Sequence, residues 1–204
     1  NAAANALLRV LVGPAMVTAF ARSIGDAGTS LDRWEPALNK SLPGDPRDTT
    51  TPEAMSRNLT QLLSGDALSS ASRRTLLEWM VANQTGDARI RAGVPKGWRV
   101  GDKTGTGSRG TINDIAFIMP PEKTPFALSI YLTESPLSAN AGNAIIAEIA
   151  RTVAETMVAC FSGDPSQSRP IDVYHLPQQT RSFRYDWRPV MGFFLTDDTG
   201  LRIP

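Results

Sequence analysis

The segment Lys103-Thr104-Gly105-Thr106-Gly107 decides how the rest of this 204-residue sequence is interpreted. It ends a predicted strand that begins at Trp98, and a second predicted strand, Asn113 to Met119, follows it. A strand edge with this sequence presents one cation, two hydroxyl groups and open backbone N–H groups on a single rim. Such a rim suits a small substrate that carries a carboxylate and a carbonyl group.

The composition is that of an ordinary globular protein. Hydrophobic residues make up 41% of the chain and charged residues 20%, and 204 residues are enough for one or two domains with a real core. The net charge of +1 argues against a role at nucleic acid or at a membrane surface. No apolar run approaches the roughly 18 residues that span a bilayer. We therefore predict neither nucleic-acid nor membrane partners.

Cysteine and histidine are too scarce for a disulfide framework or a typical metal site. Cys160 is the single cysteine and His175 the single histidine. One cysteine excludes an internal disulfide, and one of each leaves an N/S-ligated metal site short of ligands. The sequence therefore predicts no metal ion and no other cofactor.

The remaining sequence predicts helices around a few strands. Thr51-Pro52-Glu53 is a strong helix start, and Gly65 is the corresponding stop. Residues 29–51 show little periodicity, and a loop of this length is uncommon unless it is functional. Predicted helices cover about 2–11, 15–24, 52–64 and 143–158, and a further helix runs from Ser69 or Ser70 through Met80. A third predicted strand covers 126–133, and residues 83–95 are predicted as connecting chain.

The segment from Cys160 to Pro204 differs from the rest of the chain. It contains no lysine and strings together proline, glutamine, arginine and aromatic residues. No helical or alternating pattern runs through most of it, and only Val190 to Thr196 could form a strand. The sequence therefore predicts a poorly ordered extension.

Two pairs of residues stand out in the long loop. Glu35 and Asn39 are four residues apart, so a short helical turn would place a carboxylate and an amide on one face. There the carboxylate can take a proton from a water molecule whose position the amide fixes. Arg33 and Asp48 lie near the two ends of the loop, where an ion pair would close it.

Three runs, Leu31 to Asn39, Pro43 to Pro52 and Val100 to Gly107, together resemble class A serine β-lactamases. The resemblance covers about residues 1–158, in order and with the family's spacing, and leaves 159–204 as an unrelated tail. It implies an α/β fold of the α+β type, similar to β-lactamases and transpeptidases. The chain would supply three C-terminal antiparallel strands with helices, part of the all-α domain, the omega loop (about 31–51) and the Lys-Thr-Gly strand (about 98–107).

The resemblance implies two catalytic residues, Glu35 and Lys103. Glu35 resembles the general base that activates the deacylating water, and Asn39 resembles that water's second ligand. Lys103 resembles the lysine that holds positive potential at the site. The Glu35-Pro36 peptide is expected to be cis, as in the family. Arg33 and Asp48 resemble the salt bridge that closes the omega loop.

The resemblance also implies a substrate-binding set. Thr104 and Thr106 would bind the substrate carboxylate, and the Thr106 N–H would form half of an oxyanion hole. Arg89 resembles an arginine that some members place behind the lysine to help bind this carboxylate. Asn1 resembles the last residue of the Ser-Asp-Asn motif, which contacts the substrate's side-chain amide. The full set is Asn1, Asn39, Arg89, Thr104, Gly105 and Thr106.

The sequence departs from the family at the nucleophile motif, Ser-x-x-Lys. None of the four lysines has a serine three positions before it: Lys40, Lys96, Lys103 and Lys123 are preceded there by Ala37, Gly93, Val100 and Pro120. The Ser and Asp of Ser-Asp-Asn are absent as well. We therefore expect this chain alone to be inactive, with a partial fold and a poorly held loop around Glu35.

The expected function of the parent family is β-lactam hydrolysis through a serine acyl-enzyme, which confers antibiotic resistance. The resemblance implies penicillins and cephalosporins as small-molecule partners, a monomer, and a periplasmic or secreted location. The alternative is a non-catalytic remnant or fragment that only binds β-lactams or complements a missing N-terminal half.

Other site types fit the residues less well. Gly105 to Gly110 matches Gly-x-Gly-x-x-Gly, but a dinucleotide fold needs a helix directly after it, and Thr111 to Phe117 predicts a strand. The companion motifs of kinases are absent, and so is the Gly-x-Ser-x-Gly of serine hydrolases. A Cys160–His175 pair stays open as a further alternative, in the least organised segment.

Overall fold

The computed structural model describes the backbone of residues 1–162 and 192–196, and the side chains of residues 1–158. The α-helices are α1 (Ala2–Val10), α2 (Ala15–Ser23), α3 (Pro52–Leu63), α4 (Ser70–Val81), α5 (Ile90–Gly93) and α6 (Ala139–Ser162). A 3-10 helix covers Ala37–Lys40 in the omega loop. The strands are β1 (Arg99–Thr106), β2 (Ile112–Met119), β3 (Phe126–Leu132) and β4 (Gly192–Thr196).

The predicted helices and strands are confirmed, with ends that shift by a few residues. α6 begins at Ala139 rather than Asn143 and extends past the expected boundary at residue 158. The short helix α5 lies in the stretch predicted as connecting chain, because four residues are too few to show a helical period.

The four strands form one antiparallel sheet in the order β1-β2-β3-β4. The expected sheet had three strands, and the fourth comes from the one part of the tail with a strand-like pattern. In the β3–β4 ladder, Ala127 pairs with Thr196 and Tyr131 pairs with Gly192. The other tail residues, 163–191 and 197–204, lie outside the described residues, as does the proposed Cys160–His175 side-chain pair.

Alternation along the strands separates two apolar layers, one on each face of the sheet. On one face, residues of β2 and β3 pack under α6: Ile112, Ala116, Ile118, Leu128 and Ile130 meet Ile146, Ile149 and Val153. On the other face, Phe117 and Ala127 pack against α3 and α4 through Leu59, Leu63 and Met80. The sheet therefore lies between two helical layers, with β1 at one edge and β4 at the other.

Capping and turn residues fix the ends of the elements. The Thr51 hydroxyl accepts the Ala54 N–H at 3.0 Å, with Pro52 at the first position of α3. At the tip of the β1–β2 hairpin, Gly110 has φ +64°, and a Cβ there would lie 2.0 Å from the Ser135 carbonyl oxygen. This tip therefore requires glycine. The β2–β3 turn is exposed from Pro121 to Thr124.

The first two helices expose large apolar side chains. Leu7 is 66% exposed, Val10 is 81% exposed, and Val12, between the helices, is 89% exposed with φ +65°. Within the described part of the chain, no single helix has the length and apolarity to cross a membrane; the pair α1 and α2, bent by 67°, meets only the length and composition criteria.

Candidate active site

A cleft of about 620 Å³ lies between the omega loop and the sheet. Its loop side is formed mainly by residues 41–44 and 47–52, and its sheet side by residues of the first three strands. A volume of this size suits a small organic ligand. Five of the predicted site residues line it, namely Arg33, Asp48, Lys103, Thr104 and Gly105.

Glu35 and Asn39 are in contact, as their spacing predicted. Asn39 Nδ2 donates to Glu35 Oε2 at 2.5 Å. The 3-10 helix that begins at Ala37 brings the two side chains together, and the Glu35-Pro36 peptide is cis as expected. A carboxylate and an amide on one surface can position a water molecule and accept its proton.

Asn5 of α1 holds the backbone of Glu35. Its Nδ2 donates to the Glu35 carbonyl oxygen at 2.9 Å, and the Glu35 N–H donates to its Oδ1 at 3.0 Å. Sequence reasoning missed this residue, because an asparagine in a helix 30 positions away carries no local signal for the contact. The loop around Glu35 is thus bonded to α1, which differs from the expectation that it is poorly held.

Arg33 and Asp48 form the predicted ion pair across the omega loop. Arg33 Nε donates to Asp48 Oδ2, and Asp48 Oδ1 accepts the N–H groups of Asp32 and Arg33 at 2.7 and 2.8 Å. Burial alone would raise the pKa of Asp48, but these hydrogen bonds and the charge of Arg33 hold it below its ordinary value. The ends of the loop are therefore fixed by an ionised carboxylate at neutral pH.

The omega loop also contacts the end of the Lys-Thr-Gly strand. The Ser108 N–H donates to the Asn39 carbonyl oxygen at 3.5 Å. At Gly107, an added Cβ would lie 3.2 Å from Ser41 Oγ and 3.5 Å from the same Asn39 oxygen. These contacts bring the Glu35–Asn39 pair beside the end of β1, although neither side chain lines the cleft.

Lys103 is exposed at the cleft, and its Nζ donates to the Thr104 carbonyl oxygen at 2.6 Å. None of the ion pairs among the described side chains involves it. Its charge can therefore act on an anionic ligand in the cleft.

A chain of hydrogen bonds connects the Thr104 hydroxyl to Asp102. Sequence reasoning did not predict this chain. The Thr85 and Thr104 hydroxyl oxygens are 2.6 Å apart, and Thr85 Oγ1 donates to Asn83 Oδ1 at 2.8 Å. Asn83 Nδ2 in turn donates to Asp102 Oδ2 at 2.5 Å, and Arg91 Nε donates to Asp102 Oδ1. The chain links the cleft hydroxyl of Thr104 to a fully buried carboxylate.

Arg89 lies behind β1 and is only 7% exposed. Its Nη2 donates to the Thr106 hydroxyl at 2.8 Å, and its Nη1 donates to the carbonyl oxygens of Gly105 and Asn113 at 3.0 and 2.6 Å. Burial lowers the pKa of Arg89, while the nearby carboxylates act in the opposite direction. Arg89 therefore acts on the site through Thr106 rather than through an exposed guanidinium group.

Asp114 lies on β2, paired with Thr104 in the register, and is fully buried. Its Oδ2 accepts the Ile90 N–H at 3.0 Å, and its Oδ1 has no hydrogen-bond partner among the described atoms. Burial, followed by the charge of Asp102, raises the pKa of Asp114 to about 7. Asp114, on the strand next to the Lys-Thr-Gly strand, is therefore mostly protonated only below neutral pH.

Asn1 is exposed at the start of α1 and does not line the cleft. Its carbonyl oxygen accepts the Asn5 N–H at 3.0 Å. Across the residues described, no group of three or more His, Cys, Asp or Glu side chains could hold a metal ion.

Comparisons with known sequences identify the family. A family model described as "Beta-lactamase enzyme family" matches residues 1–157. The β-lactamase of Citrobacter koseri is 52% identical over 155 residues, which are 76% of this chain and 53% of that protein. β-Lactamase CTX-M-4 of Salmonella typhimurium is 51% identical over 153 residues, which are 75% of this chain and 53% of that protein. The chain spans about half the length of these curated relatives.

Solved structures agree with the sequence relatives. The class A β-lactamase of the last common ancestor of Gram-negative bacteria has a TM-score of 0.73 and 60% identity, over 77% of this chain and 58% of that one. An ancestral class A β-lactamase has a TM-score of 0.73 and 62% identity, over 74% of this chain and 58% of that one. With its fold, its Lys-Thr-Gly strand and its Glu35–Asn39 pair, the chain belongs to the class A β-lactamase family of hydrolytic enzymes.

Proposed function

We propose that this chain supplies the deacylating half of a β-lactam-hydrolysing site. The serine nucleophile comes from a Ser-x-x-Lys segment outside these 204 residues. The observation that carries the proposal is the Glu35–Asn39 pair, joined at 2.5 Å and placed beside β1 by the bond between Ser108 and Asn39. A carboxylate in this position can remove a proton from a water molecule, and the resulting hydroxide can hydrolyse an ester intermediate.

The substrate is a small β-lactam, a penicillin or a cephalosporin. Its carboxylate binds against the ammonium group of Lys103 and the hydroxyls of Thr104 and Thr106. The Thr106 N–H donates to the β-lactam carbonyl oxygen, where negative charge develops. Arg89 positions the Thr106 hydroxyl, to which it donates at 2.8 Å. Gly105 leaves room at the rim for the ring system, and Asn1 contacts the substrate's side-chain amide.

The reaction has two chemical steps. In acylation, the serine oxygen attacks the β-lactam carbonyl carbon, the ring C–N bond breaks, and the proton lost by the serine hydroxyl is transferred to the ring nitrogen. In deacylation, Glu35 removes a proton from the water that Asn39 helps to hold, and the resulting hydroxide attacks the ester carbonyl carbon. The ester C–O bond then breaks, the serine oxygen regains the proton that Glu35 took from the water, and the ring-opened acid leaves.

Family membership also supports the cellular setting. We propose a monomer that works in the periplasm or outside the cell and contributes to antibiotic resistance by removing β-lactams.

A second candidate function is favoured by the sequence itself, in which no serine stands three positions before a lysine. In that case the chain binds β-lactams through Lys103 and Thr104 without turning them over. The two candidates differ in whether a Ser-x-x-Lys segment restores hydrolysis.

The test is hydrolysis of a chromogenic cephalosporin by the full chain, alone and mixed with the Ser-x-x-Lys-containing part of the Citrobacter koseri relative. We expect turnover only in the mixture. Glu35→Gln should lower it by about 10²-fold or more and leave a covalent acyl-enzyme that mass spectrometry detects. Lys103→Ala should raise KM, whereas Lys96→Ala, at an exposed lysine outside the cleft, should change neither parameter.

Two results would contradict the proposal. Turnover in the mixture that is unchanged by Glu35→Gln would remove Glu35 from the mechanism. β-Lactam binding by the chain with no turnover in any mixture would favour the second candidate.

A further inference from the structure

One hydrogen bond joins the start of α5 to the sheet. Asp114 Oδ2, on β2, accepts the Ile90 N–H at 3.0 Å, although the two residues are 24 positions apart. Ile90 is the first residue of α5, where backbone N–H groups have no partner inside the helix, and Arg89 provides no side-chain cap. Asp114 therefore supplies an acceptor that the helix itself lacks.

This hydrogen bond fixes the peptide group between Arg89 and Ile90. Arg89 has φ −114° and ψ −126°, so its backbone is neither helical nor extended, and its ψ angle sets the direction of the Ile90 N–H. The Ile90 side chain is fully buried in the apolar layer under α6. Because Asp114 holds the N–H group and the core holds the side chain, the position from which the Arg89 side chain starts is fixed relative to β2.

The Arg89 guanidinium group depends on this placement. Its four acceptors within the described residues are all neutral: Asn143 Oδ1 at 2.9 Å, the carbonyl oxygens of Gly105 and Asn113, and the Thr106 hydroxyl at 2.8 Å. No ion pair among the described side chains anchors it. Since neutral acceptors bind a guanidinium group less strongly than a carboxylate does, the position of the Arg89 backbone decides whether Nη2 reaches Thr106.

We propose that Asp114 is a positioning residue for the substrate carboxylate: it fixes the start of α5, so that Arg89 holds the Thr106 hydroxyl in place. The inference rests on the proposed function, in which this hydroxyl binds the carboxylate of a β-lactam. Asp114 is fully buried and touches neither the substrate nor the reacting atoms. Its effect on binding passes through Arg89.

Asp114 acts as a hydrogen-bond acceptor rather than as a charge. Its Oδ1 has no hydrogen-bond partner among the described atoms, so a proton can occupy that oxygen while Oδ2 still accepts from Ile90. The charged groups near it are Arg89 and Arg91, from the α5 segment, and Asp102 on β1. Asp114→Asn keeps a carbonyl oxygen for the bond and removes the charge, whereas Asp114→Ala and Asp114→Leu remove the acceptor.

The first test follows Arg89 in the chain alone. Its Nε–H donates to Asn143 and is nearly buried, so NMR can follow its exchange with solvent. Asp114→Ala should speed this exchange about 10-fold relative to the β2–β3 backbone amides, which report global unfolding, and Asp114→Asn should not. Ser129→Ala is the control, because it removes a buried hydroxyl that is bonded to Ser56 on the α3 side of the sheet.

The second test compares two ligands that differ only at the carboxylate, benzylpenicillin and its methyl ester, by NMR titration of the chain. Asp114→Ala should weaken binding of benzylpenicillin about 10-fold and should change binding of the ester less than about 2-fold. Asp114→Asn and Ser129→Ala should bind both ligands like the native chain. In an Arg89→Ala background, Asp114→Ala should have no further effect, because Asp114 acts through Arg89.

Asp114→Leu guards against a variant that does not fold. Leucine fills the buried volume without an acceptor, and such replacements of buried charged residues often preserve stability. It should match Asp114→Ala in both tests. Three results would overturn the inference: equal effects of Asp114→Asn and Asp114→Leu, an equal loss of affinity for both ligands, or a full effect of Asp114→Leu in the absence of Arg89.

The outcomes separate this inference from the proposed function. Faster Arg89 exchange in Asp114→Leu but not in Asp114→Asn, with no binding of benzylpenicillin to the native chain, would support the positioning of Arg89 and overturn the proposed function. Glu35-dependent cephalosporin hydrolysis by the mixture with the Citrobacter koseri fragment, with a KM that Asp114→Leu leaves unchanged, would overturn the inference and leave the proposed function standing.

Discussion

Asp114 lies in an environment that disfavours its ionised form. It is fully buried, one carboxylate oxygen has no partner among the described atoms, and Asp102 adds negative charge nearby. The folded state therefore keeps the proton up to a pH of about 7, whereas the unfolded chain loses it near 3.8. The stability that this proton provides is lost as the pH rises from about 4 through 7, because the unfolded state binds fewer protons in that range.

We predict that Asp114→Asn removes this pH dependence. The amide has nearly the same shape but cannot ionise, so the variant should gain stability over the native chain between pH 5 and pH 8. Since each pKa unit corresponds to 1.36 kcal/mol, the gain can reach about 2–4 kcal/mol. Urea unfolding at pH 5, 6, 7 and 8 measures it. A constant difference across these pH values would show that Asp114 does not titrate in this range.

Val12 has a backbone conformation that β-branched residues rarely adopt. Its φ is +65°, and its side chain is 89% exposed, so little apolar burial offsets the strain. Nothing in the local sequence indicated this, because valine is not a residue that predicts a left-handed turn.

We predict that Val12→Gly stabilises the fold by about 1 kcal/mol, because glycine adopts positive φ without strain. Val12→Ala is the matched control: it also removes the exposed side chain but keeps the Cβ, and it should gain less. Thermal unfolding of the three chains measures the difference. An equal gain in both variants would mean that the exposed side chain, and not the backbone, is responsible.

At the scale of elements, the omega loop is organised around one carboxylate. Asp48 joins the two ends of the loop through Arg33 and two backbone N–H groups, and its side chain is 2% exposed. The sequence predicted this pair and the Glu35–Asn39 turn, because both depend on short spacing and complementary chemistry. It could not predict the bonds from Asn5 or Thr85, because those partners meet only when helices and strands have packed.

We predict that Asp48→Asn destabilises the chain by about 1–3 kcal/mol at pH 7, since it weakens hydrogen bonds to a buried charged group. Asparagine tolerates the φ of +57° at this position, so the backbone is not the cause. The pKa of Asp48 is lowered on folding, so its contribution is present above pH 3.8 and is lost as the pH falls through the folded pKa.

Urea unfolding at pH 7 and pH 3 tests this prediction, with Asp66→Asn at an exposed aspartate as the control. The cost of Asp48→Asn should shrink at pH 3, and the control should be near zero at both values. A cost that is unchanged at pH 3 would contradict the role of the ionised carboxylate.

At the scale of the whole molecule, the surface of α1 and α2 is unusually apolar. Leu7 and Val10 are mostly exposed, whereas the neighbouring Leu8 is 7% exposed. The helical pattern predicted the two helices but not which of their faces are buried. Periodicity identifies an apolar stripe on a helix, but it does not identify the element that packs against that stripe. The fourth strand shows the same limit: its pattern was visible in the sequence, but its place beside β3 depends on pairing between distant residues.

We predict that Leu7→Lys with Val10→Lys leaves the free energy of unfolding within about 0.5 kcal/mol of the native value, because both side chains are in water. The same variant should scatter less light at high protein concentration, because it removes two exposed apolar side chains that favour aggregation. Leu8→Ala should instead cost about 2–5 kcal/mol. A large loss of stability in the double variant would mean that this surface is covered in the folded chain.

The two hairpin turns of the sheet have different consequences for engineering. Gly110 lies so close to the Ser135 carbonyl that even a methyl group does not fit, so this position of the β1–β2 hairpin cannot carry a side chain or a label without displacing Ser135. The turn from Pro121 to Thr124 is exposed. A dye or an affinity tag therefore belongs at Glu122, an exposed residue that does not line the cleft.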